Sequence, residues 1–177
     1  GHAWGTGGIG LADFNGGGSL DVAVSRRETQ TAYWFERKDD ETWVRHTIGT
    51  ADGLANTLGA AVLDVDGDGW PDVAFRGVWV RNPGNLATAP DTVWEAHAYA
   101  GGGHDVVAAD MSGNGKLDLV TYDGHVLAWF DTSEALAKTV ITEGLDQHGG
   151  IAPRGIGDLN GNGHLDIVIP GIGFENP

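Results

Sequence analysis

One nine-residue pattern recurs four times in this chain, and it limits the fold more than any other feature. Residues 13–21, 64–72, 110–118 and 158–166 all read Asp-x-(Asp/Asn/Ser)-Gly-(Asp/Asn/Gly)-Gly-x-x-Asp. Their first aspartates stand 51, 46 and 48 residues apart. Self-similarity at such a period marks units that cannot bury their apolar faces alone and do so against one another. Each loop follows a short apolar run (10–12, 60–63, 106–109, 155–157) and precedes a β-rich one (22–24, 73–75, 119–122, 167–169). An aromatic run comes next, at 32–36, 78–81, 126–130 and 171–175. Three of the repeats then close on a fourth run, at 43–48, 93–99 and 138–142.

Four short strands per repeat, with no helical period, predict an all-β chain built as a β-propeller of four-stranded antiparallel blades. The aspartate loop joins strands A and B, a short turn joins B and C, and a longer outer loop joins C and D. The blades are expected at about 1–49, 50–99, 100–143 and 144–177, the last lacking strand D. That makes about 3.75 blades, part of, or half of, a seven- or eight-bladed ring. Thirty glycines oppose long helices, and the one helix-like stretch, 133–138, is long enough for a single turn.

Side-chain oxygens recur at positions 1, 3, 5 and 9 of each loop, with glycine at 4 and 6. A hard cation such as Ca²⁺ takes six to eight oxygens, and a tight loop can supply them. The expected ligands are Asp13, Asn15 and Asp21 in loop 1, and Asp64, Asp66, Asp68 and Asp72 in loop 2. Loop 3 offers Asp110, Ser112, Asn114 and Asp118, and loop 4 offers Asp158, Asn160, Asn162 and Asp166. Up to four Ca²⁺ are expected, one per loop. Loop 2, with four carboxylates, is expected to bind tightest, while Gly17 leaves position 5 of loop 1 to water. An EF-hand is excluded, because position 12 holds Val24, Phe75, Thr121 and Ile169 and the flanking segments are strands. The loops hold ten of the 25 acidic residues, so four Ca²⁺ would bring the formal charge from -15 to about -7.

This loop between two β-runs resembles the FG-GAP/VCBS repeat, and the resemblance covers nearly the whole chain. The family's Phe-Gly and Gly-Ala-Pro signatures are not evident, which brings the chain nearer the VCBS branch. The resemblance implies a calcium-bearing propeller like those of integrin α-subunit heads, fungal propeller lectins and some carbohydrate-active enzymes. Function follows from it only at the level of a binding module, because propellers host many activities.

The remaining chemistry is sparse. His104 and His148 fall near the channel end of strand A and are weak candidates for a metal or acid/base site, with His2 beside them. Trp34, Trp79, Trp129, Trp43 and Trp94 read as blade-to-blade packing, whereas Trp4 and Trp70 lie in loops where a sugar ring could stack. No nucleophile motif or phosphate loop is present. The acidic balance argues against nucleic acid, and no apolar run is long enough to insert in a membrane. The expected function is therefore non-catalytic: a calcium-stabilised, lectin- or adhesion-like module that binds carbohydrate or protein, secreted or on the cell surface. The alternative is the propeller domain of a carbohydrate-active lyase or dehydratase with a His-lined metal site. An open row of blades predicts a homodimer, or the missing remainder of the ring, as partner.

Overall fold

The computed structural model describes residues 6–26, 29–50, 54, 59–103, 105–146, 151 and 155–176. These residues form four separate antiparallel sheets, each built from strands in chain order. Blade 1 holds β1 (Thr6–Ala12), β2 (Asp21–Arg26), β3 (Thr31–Arg37) and β4 (Trp43–Thr50). Blade 2 holds β5 (Ala61–Leu63), β6 (Asp72–Phe75), β7 (Val78–Arg81) and β8 (Glu95–Ala98). Blade 3 holds β9 (Asp105–Ala109), β10 (Asp118–Tyr122), β11 (Leu127–Asp131) and β12 (Ala137–Thr142). Blade 4 has three strands, β13 (Ile156–Gly157), β14 (Asp166–Ile169) and β15 (Ile172–Phe174). The stretch 133–138, expected to make one turn, shares only Ser133 and Glu134 with the 3-10 turn Thr132–Glu134, and its last two residues open β12.

Strand alternation decides what each blade faces, since successive side chains leave opposite sides of a sheet. In the second strand, the residues just after the ninth-position aspartate alternate between the preceding blade and the next one. Val73 and Phe75 of blade 2 join Ala23 of blade 1 in one cluster, while Ala74 turns the other way and joins Leu119 of blade 3. Val120 in turn meets Ile167 and Ile169 of blade 4. Each blade thus buries one face on each neighbour. At the ends of the row these faces are open: Ile9 and Leu11 of blade 1 are 57% and 58% exposed, and Val168 of blade 4 is 38% exposed.

The first strands of blades 1, 2 and 3 lie side by side, and glycine permits the approach. A Cβ on Gly8 would fall 2.1 Å from the Gly59 carbonyl carbon, and one on Gly59 would fall 2.6 Å from the Val106 nitrogen. Only hydrogen fits there.

The tryptophans divide. Trp34 is fully buried between blades 1 and 2, and Trp79 is buried between blades 2 and 3. Trp129 is half-buried on the blade 3–4 contact. Trp94 precedes β8 rather than starting it: its amide donates to the Ile48 carbonyl of blade 1 at 2.9 Å, and its ring meets Phe14 edge-on. Trp43 departs from the packing expectation. It is 45% exposed, with the Arg37 guanidinium 6.0 Å from its ring. The outer C–D connection is long only in blade 2 among the described blades, where it folds back to bury Leu86 and Trp94 against blade 1.

Candidate metal centres

All four aspartate loops adopt one hydrogen-bonded shape. The first aspartate closes the turn. Its Oδ1 accepts from the position-5 amide (Gly17, Asp68, Asn114, Asn162) at 2.9–3.1 Å. Its Oδ2 accepts from the position-6 amide (Gly18, Gly69, Gly115, Gly163) at 2.7–2.9 Å. Both loop glycines have positive φ in every repeat, from 71° at Gly16 and Gly113 to 91° at Gly69 and Gly163. A side chain at either place would strain the backbone, which explains the glycines at positions 4 and 6.

The ninth-position aspartate is a clamp. Asp21, Asp72, Asp118 and Asp166 are at most 1% exposed. One oxygen of each accepts the position-2 amide (Phe14, Val65, Met111, Leu159) at 2.8–3.1 Å. The other accepts the amide at the far end of strand C: Arg37, Asn82, Thr132 or Asn176, at 2.8–3.3 Å. Each carboxylate therefore ties its loop to the third strand of its own blade. Asp118 Oδ2 also accepts the Ser112 amide at 3.0 Å. A carboxylate oxygen that accepts one amide keeps a second lone pair, so each clamp still has an oxygen that could meet a cation.

Loop 2 fits a cation best in charge and spacing. Ligand oxygens of Asp64, Asp66 and Asp72 lie within 4.8 Å of one another. An ion about 2.3–2.6 Å from each donor needs them no more than about 5.2 Å apart. Asp68 stands apart from this group and pairs with Arg81, whose Nη2 donates to Asp68 Oδ2 at 2.9 Å. The Arg81 Nε lies 2.6 Å from Asp66 Oδ2, an ion pair rather than an aligned hydrogen bond. In loop 3 the Ser112 hydroxyl is buried and makes no hydrogen bond, an orphan that a cation at position 3 would satisfy. In loop 1 Asn15 Oδ1 already accepts the Gly17 amide, and its Nδ2 donates to Glu36 at 2.8 Å. In loop 4 Asn160 and Asn162 accept the Asn162 and His164 amides at 3.0 and 2.8 Å.

Burial acts unevenly on the clamps. It pushes Asp72 up to about 7, with Asp66 and Asp68 adding to the rise and the Asn82 and Val65 amides opposing it. Burial also raises Asp21. Asp166 goes the other way, held below the usual carboxylate range by the Asn176 and Leu159 amides.

Trp70 is not an open platform. Its indole is half-buried against Gly16 of loop 1 and Gly84 of its own blade, a wedge between blades 1 and 2. The corresponding place between blades 2 and 3 is a cleft of about 380 Å³, with Asp64 and Asp66 on one side and Lys116, Thr132 and Ser133 on the other. Trp4, His2, His104 and His148 lie outside the described residues. His46 is buried behind loop 1, stacked on Trp34 at 4.6 Å between Asp91 and Glu36, the residue that accepts the Asn15 side-chain amide.

Sequence reading missed Asn82 and Asn176. Besides capping the clamps, their side-chain amides cross to the preceding blade, donating to the Phe14 and Met111 carbonyls at 2.9 and 3.0 Å. The signal was the Asn-Pro pair after strand C in blades 2 and 4.

Residues 4–75 match the model of the FG-GAP-like repeat, a span that runs through blade 1 and ends with β6. Over that span the chain is similar to an FG-GAP-like repeat, and its blade-like antiparallel sheets are consistent with an FG-GAP repeat propeller. The same loop and clamp continue in the two blades beyond the match, as far as Asn176. Neither a curated protein nor a solved structure matches the chain. Among the described residues no helix is long and apolar enough to cross a membrane.

Proposed function

We propose that this FG-GAP-like chain is a calcium-stabilised propeller module of an extracellular or cell-surface protein, binding carbohydrate or protein on its loop face. One observation carries the reading: four loops share one backbone shape, and in loop 2 three carboxylates bring ligand oxygens within 4.8 Å of one another. The orphan Ser112 hydroxyl supports it in loop 3. Bound Ca²⁺ would add ligand bonds and offset the carboxylate repulsion in each loop. Extracellular calcium is roughly millimolar, and a site binding about a hundredfold more tightly than that adds about 2.7 kcal/mol to the folded state. Cytosolic calcium is too scarce for such loops, which supports an exported parent.

The cleft between loops 2 and 3 is the best place for a ligand on this face. Its hydroxyls, Lys116 and two loop carboxylates suit a polyhydroxylated or charged surface group. Chelator is expected to lower the melting temperature by more than ten degrees. Identical melting curves with and without chelator would overturn the calcium reading. Glycan-array binding in calcium, lost in Lys116→Ala, tests the cleft.

A further inference from the structure

Loop 2 carries four carboxylates and the other loops two each, yet the residue ending strand C reverses the imbalance. That residue is Glu36, Arg81, Asp131 and Glu175 in blades 1 to 4, each directly before the residue whose amide caps the clamp. Loop and strand-end residue together carry three net negative charges in blades 1, 2 and 4 and two in blade 3, where Lys116 offsets one carboxylate. In blades 1 to 3 the contacts follow the same exchange, whereas in blade 4 Asn162 Nδ2 donates to the Asn176 carbonyl. Where the loop offers an amide, the strand end is acidic: Asn15 Nδ2 donates to Glu36, which also holds Lys38 at 2.6 Å. Asn114 Nδ2 donates to the Ser133 hydroxyl at 3.0 Å, which donates in turn to Asp131 at 2.5 Å. Where the loop offers carboxylates, the strand end is Arg81, in contact with both Asp66 and Asp68.

We propose that Arg81 is a built-in counter-cation that holds loop 2 in shape without a metal ion and gates the admission of one. Asp66 belongs both to the oxygen cluster and to the Arg81 pair, so an ion and the guanidinium compete for it. Arg81 is 43% exposed on its side chain, free to release Asp66 toward solvent while keeping Asp68. Loop 2 therefore binds an ion more weakly than its carboxylate count suggests. The gate rests on the calcium reading; the counter-charge does not.

Arg81→Gln and Arg81→Lys separate charge from shape. Melting is followed in chelator and in millimolar calcium. Terbium emission is excited through Trp70, which sits at position 7 of loop 2 and packs on Gly16 of loop 1, with Trp70→Phe as background and Asp13→Asn to remove the loop 1 signal. In chelator Arg81→Gln is expected to melt about five degrees or more below the unsubstituted chain, and calcium closes the gap. The Trp70-dependent terbium signal is expected to reach half-saturation at about tenfold lower ion concentration in Arg81→Gln. Arg81→Lys stays close to the unsubstituted chain in both. Equal melting of Arg81→Gln and the unsubstituted chain in chelator, or an Arg81→Lys that behaves like Arg81→Gln, overturns the counter-charge. Terbium binding with an unchanged midpoint overturns the gate. A low melting point in chelator with no response to either ion supports the counter-charge and overturns both the gate and the calcium reading beneath it.

Discussion

Asp72 is sealed from solvent with two backbone amides on its oxygens and two further carboxylates nearby, and it titrates at about 7. The folded state thus keeps a proton that the unfolded chain, with an ordinary carboxylate near 3.8, releases earlier. This contribution is whole below about 4 and is lost as the pH rises through about 7. Asp166 has the opposite sign: its contribution is whole above 3.8 and is lost only as the pH falls through its lower folded value. On the calcium reading proposed above, an ion in loop 2 would need Asp72 ionised and would invert the slope. Melting in calcium-free buffer is expected to be higher at pH 5 than at pH 7, and in calcium higher at pH 7. A calcium-free protein that melts higher at pH 7 would count against Asp72 as the controlling group. The clamp itself is tested by Asp118→Ala, which leaves the Met111 and Thr132 amides without their acceptor. Denaturant titration in chelator should find a loss of about 2–5 kcal/mol. The oxygens at positions 1, 3, 5 and 9 were legible in the spacing. The clamp on strand C was not, because its partners are backbone amides, which any residue supplies.

At the scale of strands, Gly59 and Gly173 make a contrasting pair. A Cβ on Gly59 meets the Val106 backbone at 2.6 and 2.8 Å, whereas one on Gly173 meets nothing within 4 Å. Gly59→Ala is expected to cost about 1–3 kcal/mol by forcing β5 and β9 apart. Gly173→Ala is expected to be neutral or to add about 0.4–1 kcal/mol through the unfolded chain. Thermal unfolding of the two variants checks both signs. The strands were legible because each repeat states the same alternation four times. Trp43 and Trp94 were harder: both stand after strand C in similar surroundings, but the connection before Trp94 is long enough to fold back on blade 1. Connection length decided their burial.

Across the whole molecule, the row ends in unlike faces: Ile9 and Leu11 at one end, Val168 and the edge of β15 at the other. An apolar face of this kind favours another blade over water. This 177-residue chain is expected to associate, giving a mass near twice 18.5 kDa by light scattering. Ile9→Asp should return it to one copy, and a stable monomer of the unsubstituted chain at micromolar concentration would count against the expectation. The blade count was legible from the repeat period, but the open faces needed the parity of each strand. In the one-copy Ile9→Asp form, parity also means that blades 2 and 3 lean on two neighbours while blades 1 and 4 lean on one. Protection of backbone amides from hydrogen exchange then depends on place in the row as well as on sequence. β10 and β14 are alike in residue type and in clamp, yet the amides of Leu119 and Val120 should exchange far more slowly than those of Ile167 and Val168. Opening would begin at the ends and move inward, so the centre of the row outlasts its edges.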